Sequence, residues 1–198
     1  MTNKHLQDIV NFIMETDKLK AVIRKTRPQG LGRYENSAEH SWQVALAALT
    51  LQQYASRPVD INRVLRMLLV HDLGEIDVGD VIVYQANDPA HLAAERKGVA
   101  RILALLPDQM GDKYLALWDE FEAAETADAQ FAKAMDRALP LLHNLYDGGH
   151  SWRKHGIQRH QVETVNKPRI IQGCPALWEL IEPVLTQAEA DGCFDPVE

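Results

Sequence analysis

The chain has 198 residues, 46% of them hydrophobic and 25% charged, with a formal net charge of −7. That length and composition suit a single globular domain, expected over 1–198, and exclude a disordered or low-complexity chain. The acidic balance argues against nucleic acid as a partner, and with no apolar run of the roughly 18 residues a membrane span needs and no recognisable secretory leader, a cytoplasmic setting with Cys174 and Cys193 as reduced thiols is expected.

Breaks at Pro28-Gln29-Gly30, Arg57-Pro58, Pro107, Gly148-Gly149 and Gly173-Cys174-Pro175 divide the chain into helical segments, and no strand-like alternation is evident. Asn36 followed by Glu39 matches a capping box and starts a long helix from about Ser37 to Ala55. Asp60 caps the next, which runs to about Asp72. Gly74 to Pro89, with Gly79 and the Asn87-Asp88-Pro89 turn, is expected as an ordered loop leading into a helix that stops before Pro107. Shorter helices are expected over Asp112 to Ala124 and Gln158 to Asn166, and longer ones over Ala127 to Tyr146 and Pro175 to Asp191. The fold class that follows is all-α, a single helical bundle.

Three of these segments carry metal-ligand residue types. Ile61, Val64, Leu65, Leu68 and Leu69 keep helical spacing, and their stripe runs into Asp72 one turn on. A carboxylate placed there is buried, which costs several kcal/mol without a compensating cation or partner charge. His71 beside it offers a neutral nitrogen. Asp136 flanks the apolar row Phe131, Met135, Leu139, Leu142, and His40 opens the run from Trp42 to Leu51. His40, His71, Asp72 and Asp136 are therefore candidate ligands for one divalent cation. The alternative is a hydrogen-bonded core histidine at His40, with Asp72 and Asp136 paired to arginines such as Arg66 and Arg137. Mixed imidazole and carboxylate ligands favour Mn²⁺, Co²⁺, Fe²⁺ or Zn²⁺ over Mg²⁺, and an ion with open positions supports hydrolysis.

Directly after the His-Asp pair come three carboxylates in a glycine-containing loop. Glu75, one turn from His71, is placed to orient or deprotonate an attacking water, and Asp80 to protonate a leaving alkoxide or position the water. Asp77 reads as a turn residue, and an N-cap is the plainer role for Asp80. Upstream lie Lys18, Lys20, Arg24, Lys25, Arg27 and Arg33, of which the arginines match phosphate oxygens best. His143, His150, His155 and His160 read as surface or packing residues, and Trp42, Trp118, Trp152 and Trp178 as core or interface. No nucleophile elbow, phosphate-binding glycine loop or dinucleotide fingerprint is present.

The ordered set His40, His71-Asp72 and Asp136 resembles the HD-domain metal-dependent phosphohydrolases. The likeness is closer to their bacterial 5'-deoxynucleotidase subgroup through Leu19-Lys20-Ala21-Val22-Ile23-Arg24, Glu35-Asn36-Ser37-Ala38-Glu39-His40-Ser41, His71-Asp72-Leu73-Gly74-Glu75, Val78-Gly79-Asp80 and Phe131-Ala132-Lys133-Ala134-Met135-Asp136-Arg137. It spans about residues 17–166. The resemblance implies an all-helical fold, one divalent metal ion, release of phosphate from deoxyribonucleoside 5'-monophosphates, and a homodimer. It also implies that Arg24 holds the phosphate and that Glu75 and Asp80 do the proton chemistry. Two departures stand out. Lys25 replaces an aromatic residue that helps those enzymes sense the missing 2'-hydroxyl, leaving sugar preference open. The stretch from Arg24 to His40 is one residue longer, which leaves Arg27 as the substitute for Arg24. The function expected is a metal-dependent phosphomonoesterase acting on (deoxy)nucleoside 5'-monophosphates. The alternatives are a hydrolase of another phosphoester and a catalytically silent nucleotide sensor or scaffold.

Overall fold

The structure is a computed structural model that describes residues 3–85 and 89–194. Ten α-helices follow one another in these residues: α1 Asn3–Thr16, α2 Ser37–Leu51, α3 Ile61–Val70, α4 Glu75–Val78, α5 Pro89–Leu103, α6 Met110–Ala123, α7 Ala127–Tyr146, α8 His150–Lys154, α9 Arg159–Gly173 and α10 Pro175–Ala190. Short 3₁₀ turns occupy Asp17–Ala21, Gln52–Tyr54 and Val83–Gln85. Among the described residues there is no sheet, only an isolated antiparallel bridge between Ile23 and Asn36. No described helix is long and apolar enough to cross a membrane.

The caps follow the sequence closely. Asn36 Oδ1 accepts from the Glu39 amide while the Glu39 carboxylate accepts from the Asn36 amide, so α2 starts on a complete capping box. Asp60 accepts from Asn62 and Arg63 at the head of α3, and Thr126 from Ala129 at the head of α7.

Helix α7 forms the axis of the bundle, packed on α2, α3, α6, α9 and α10. Its Phe131 and Met135 meet Val44 of α2, Val64 and Leu68 of α3 and Phe121 of α6 in one buried cluster. Its Ala138 and Leu141 turn toward Trp152, Ile170, Trp178 and Ile181 in a second. A third cluster joins Val70 and Leu73 to Val99, Ile102 and Trp118. Each large side chain so enclosed contributes about 1.5–3 kcal/mol. Pro140, inside α7, has no N–H for the carbonyl of Asp136, which opens the hydrogen-bond ladder one turn past that residue.

Several boundaries differ from expectation. α2 ends at Leu51 and α3 at Val70, each passing into a turn. The Gly74 to Pro89 segment contains α4 and a 3₁₀ turn, while Asn87 and Asp88 of the expected turn lie outside the described residues. α9 continues through Pro168 to Gly173, because the one hydrogen bond that proline withholds is offset by the burial of Val162 and Ile170 against their neighbours. Leu69, counted in the buried stripe of α3, is 57% exposed, and Met67 is buried with Val64 and Leu68 instead. Asp72 is buried because it follows Leu68 by four residues. Three of the four tryptophans are core residues, but Trp42 is 65% exposed.

Candidate functional site

The turn after α3 delivers the His-Asp pair inward. The indole N–H of Trp118 donates to the His71 carbonyl oxygen at 2.9 Å, tying the turn to α6. His71 Nδ1 lies 2.7 Å from the Leu68 carbonyl oxygen, so that nitrogen carries a proton and Nε2 is the one that faces the site. Gly74 makes the turn possible, since a Cβ there would meet Glu95 Cγ at 2.5 Å and the Glu95 carbonyl oxygen at 2.6 Å.

His71 Nε2 is buried without a hydrogen bond, 3.0 Å from Asp72 Oδ1 and 3.5 Å from Asp136 Oδ1. From α2, His40 Nε2 reaches Asp136 Oδ1 at 3.1 Å. One donor atom each from His40, His71 and Asp72 lies within 4.8 Å of the others, with all three residues buried. Burial opposes charge on His71, but Asp72 and Asp136 outweigh it and pull its imidazole up to about 9. Burial likewise opposes ionisation of Asp136, yet the hydrogen bond with His40 and the nearby His71 imidazole hold its carboxyl well below the usual carboxylate range. The orphaned nitrogen, the converging ligand atoms and the demand for positive charge fit a divalent cation at His40, His71 and Asp72, with Asp136 Oδ1 beside both imidazoles but outside that group of three.

Arg24 enters from the opposite side. The extended residues before α2 pair with the start of that helix: Arg24 N–H donates to the Glu35 carbonyl oxygen at 2.9 Å, and Ser37 N–H to that of Val22 at 3.0 Å. Arg24 Nη1 donates to Asp72 Oδ2 at 2.8 Å and lies 3.5 Å from Glu75 Oε1 and 3.6 Å from Asp80 Oδ1. Arg27 is engaged elsewhere, holding Asp147 at 2.6 and 2.9 Å.

Glu75 begins α4 and accepts from Ser37 Oγ. Burial raises its carboxyl well above the ordinary value, and the neighbouring Asp72 adds to the effect while Arg24 opposes it. Asp80 is raised in the same way, by burial against the pull of Arg24. Gly79, at φ +78°, takes a positive-φ conformation open to glycine, after which Asp80 comes within 3.6 Å of Arg24. Asp77 faces away and is clamped by Arg101 through two 2.7 Å hydrogen bonds. Neither Arg66 nor Arg137 neutralises Asp72, and Arg137 Nε stays 3.9 Å from Asp136.

These groups open into a cavity of about 450 Å³, within the size range of small-molecule sites. Its wall includes residues to which the sequence reading gave no role. Lys133 is buried in the apolar row of α7, with Nζ 2.7 Å from Glu122 and 3.9 Å from the centre of the Phe121 ring. Glu95 is pushed up to about 7 by burial and by Glu122 and Asp72. Behind the site, buried Glu35 lies 3.4 Å from His40 Nδ1 and 3.5 Å from Arg24 Nε. Its only mark in the sequence is its place beside the capping box. His143 packs 3.8 Å from Glu35 and His155 lines the cavity, whereas His160 is exposed.

A family model described as HD domain matches residues 16–178. The chain is 29% identical over 150 residues to 5'-deoxynucleotidase HDDC2 of Xenopus laevis, covering 73% of each chain. It is 30% identical over 153 residues to a 5'-deoxynucleotidase of Erwinia tasmaniensis, covering 72% of this chain and 77% of that one. Among solved structures, a predicted metal-dependent phosphohydrolase from Magnetospirillum magnetotacticum MS-1 superposes with a TM-score of 0.91 at 42% identity, over 98% of this chain and 100% of that one.

Proposed function

The chain belongs to the HD domain family, and on that premise we propose that it is a metal-dependent phosphohydrolase of nucleotides that releases phosphate from (deoxy)nucleoside 5'-monophosphates. Relatives that carry the name 5'-deoxynucleotidase and the metal-dependent phosphohydrolase of matching fold support the reading. The observation that carries it is the convergence of three buried ligand atoms within 4.8 Å beside a guanidinium 2.8 Å from the same Asp72.

In this reading His40, His71, Asp72 and Asp136 would hold one divalent ion, whose chemistry would be to lower the pKa of a water and offset charge on a phosphoryl group. Arg24 directs its fork at the phosphate oxygens. Glu75, fixed through Oε2 by Ser37, orients the water and takes its proton. Asp80 returns a proton to the nucleoside 5'-oxygen as the phosphorus–oxygen bond breaks, so that nucleoside and inorganic phosphate leave. Both carboxyls are held above the ordinary range by burial, a direction that suits groups that exchange protons during the reaction. A cytoplasmic homodimer belongs to the same proposal. The exposed stripe Trp42, Leu46 and Leu49 along α2 offers a second copy an apolar face.

Phosphate release from a panel of ribo- and deoxyribonucleoside 5'-monophosphates with Mn²⁺, Co²⁺, Mg²⁺ or chelator tests the reading. Turnover with metal and none with chelator is expected; tight nucleotide binding without turnover points to a sensor instead.

A further inference from the structure

Glu35 lies behind the cavity, 1% exposed, in the short segment that leads into α2. Its N–H donates to the Thr26 carbonyl oxygen at 3.1 Å, and its own carbonyl oxygen accepts from Arg24 N–H at 2.9 Å, so its backbone is fixed on both sides. Its Oε1 sits 3.4 Å from His40 Nδ1 and 3.5 Å from Arg24 Nε, while Oε2 lies 3.8 Å from His143 Nδ1. Among the described residues Glu35 Oε1, His40 Nδ1, Arg24 Nε and His143 Nδ1 are all buried without a hydrogen bond. Such a group is costly unless its members serve one another. The two ends of His40 show how they do. Nε2 is 3.1 Å from Asp136 Oδ1, on the side of the ligand cluster, and Nδ1 is turned to Glu35. An imidazole that gives Nε2 to a metal carries its proton on Nδ1, and an acceptor at that proton fixes both the tautomer and the direction of the ring. For His71 that acceptor is the Leu68 carbonyl oxygen, and for His40 the group in reach is Glu35.

We propose that Glu35 is a positioning residue shared by the metal site and the phosphate site. Its Oε1 accepts the Nδ1–H of His40, which holds Nε2 toward the other ligands, and the Nε–H of Arg24, which sets the plane of the guanidinium that faces the cavity. The inference rests on the hydrolytic reading of this site and adds that one buried oxygen supports both halves of it. A carboxylate with a purely structural role would leave the metal affinity of the folded chain as it is.

Two variants separate the place of that oxygen from its charge. Glu35→Gln keeps the length of the side chain and loses the charge, whereas Glu35→Asp keeps the charge and draws the carboxylate back by one methylene. Calorimetric Mn²⁺ binding, which needs no turnover, is read on each variant once circular dichroism shows it folded. Both are expected to bind Mn²⁺ about 10- to 100-fold more weakly than the wild type, the usual loss when a group behind a ligating histidine is removed. Co²⁺ in place of Mn²⁺ adds a spectroscopic signature, since its visible absorption bands are expected to shift in both variants as the His40 ring turns. At saturating Mn²⁺ the KM for dTMP is expected to rise about fivefold in Glu35→Asp with kcat changed less, the worth of one hydrogen bond on Arg24. Glu35→Asp leaves the buried charges balanced, so it decides the matter if Glu35→Gln does not fold. If the wild-type chain hydrolyses no monophosphate while both variants weaken Mn²⁺ binding and shift the Co²⁺ bands, the positioning role stands and the hydrolytic reading falls. Mn²⁺ affinity unchanged in the folded variants, or weakened with the KM for dTMP untouched, overturns the proposal.

Discussion

Arg24 Nη1 donates to Asp72 Oδ2 at 2.8 Å, joining residues 48 apart in sequence at the wall of the cavity. The guanidinium is surrounded by Asp72, Glu75, Asp80 and Glu35, so it balances the carboxylates as well as facing the cavity. Removing it outright leaves buried charges uncompensated, at a cost of about 3–5 kcal/mol.

Arg24→Lys is for that reason the informative variant. It keeps the charge but loses the planar fork that spans a carboxylate and two phosphate oxygens. The expected outcome is a folded protein whose KM for nucleoside monophosphates rises about tenfold or more, the energy of one charge-assisted hydrogen bond. Steady-state kinetics read it, and an unchanged KM removes Arg24 from phosphate binding.

Glu75→Gln keeps an acceptor for Ser37 but removes the base. Calorimetric Mn²⁺ binding should persist while kcat falls by about 10² to 10⁴. A variant that turns over at the wild-type rate excludes Glu75 from the chemistry.

Glu95 gives a pH signature of stability. Its carboxyl rises from 4.5 to about 7 on folding, through burial and then Glu122 and Asp72. The folded state therefore holds this proton more tightly than the unfolded chain does. The stability it contributes is complete below about pH 4.5 and is lost as pH rises toward 7. Glu95→Gln, which cannot ionise, should match the wild type in urea unfolding with chelator at pH 4.5 and exceed it by about 1–3 kcal/mol at pH 8. An equal difference at both pH values contradicts the assignment.

The clustering of the candidate ligands was legible because each is a metal-binding residue type at a position that helical spacing makes internal. Asp72 follows Leu68 by one turn, Asp136 follows buried Ala132 by one turn of α7, and His40 stands four residues after the N-cap Asn36. Glu35 was not legible in this way, since it reaches the site through the short bridge between Ile23 and Asn36 and through no periodic pattern. Lys133 is hidden for another reason: in an apolar row a lysine reads as exposed, whereas Glu122 and the Phe121 ring compensate its burial. Glu95 and Tyr84 line the cavity by tertiary placement of α5 and of the 3₁₀ turn Val83–Gln85, which spacing alone does not encode. The longer α9 shows packing overriding a local breaker at Pro168.

In the proposed mechanism a cation held by the His-Asp cluster makes this bundle a phosphohydrolase. Its most direct test pairs Mn²⁺ calorimetry with phosphate release from a deoxyribonucleoside 5'-monophosphate, on the wild-type chain and on Asp72→Ala. One tightly bound ion per chain with metal-dependent turnover is expected in the wild type, and in Asp72→Ala a folded, less stable chain that has lost both. Full turnover by Asp72→Ala, or by the wild type in excess chelator, contradicts it.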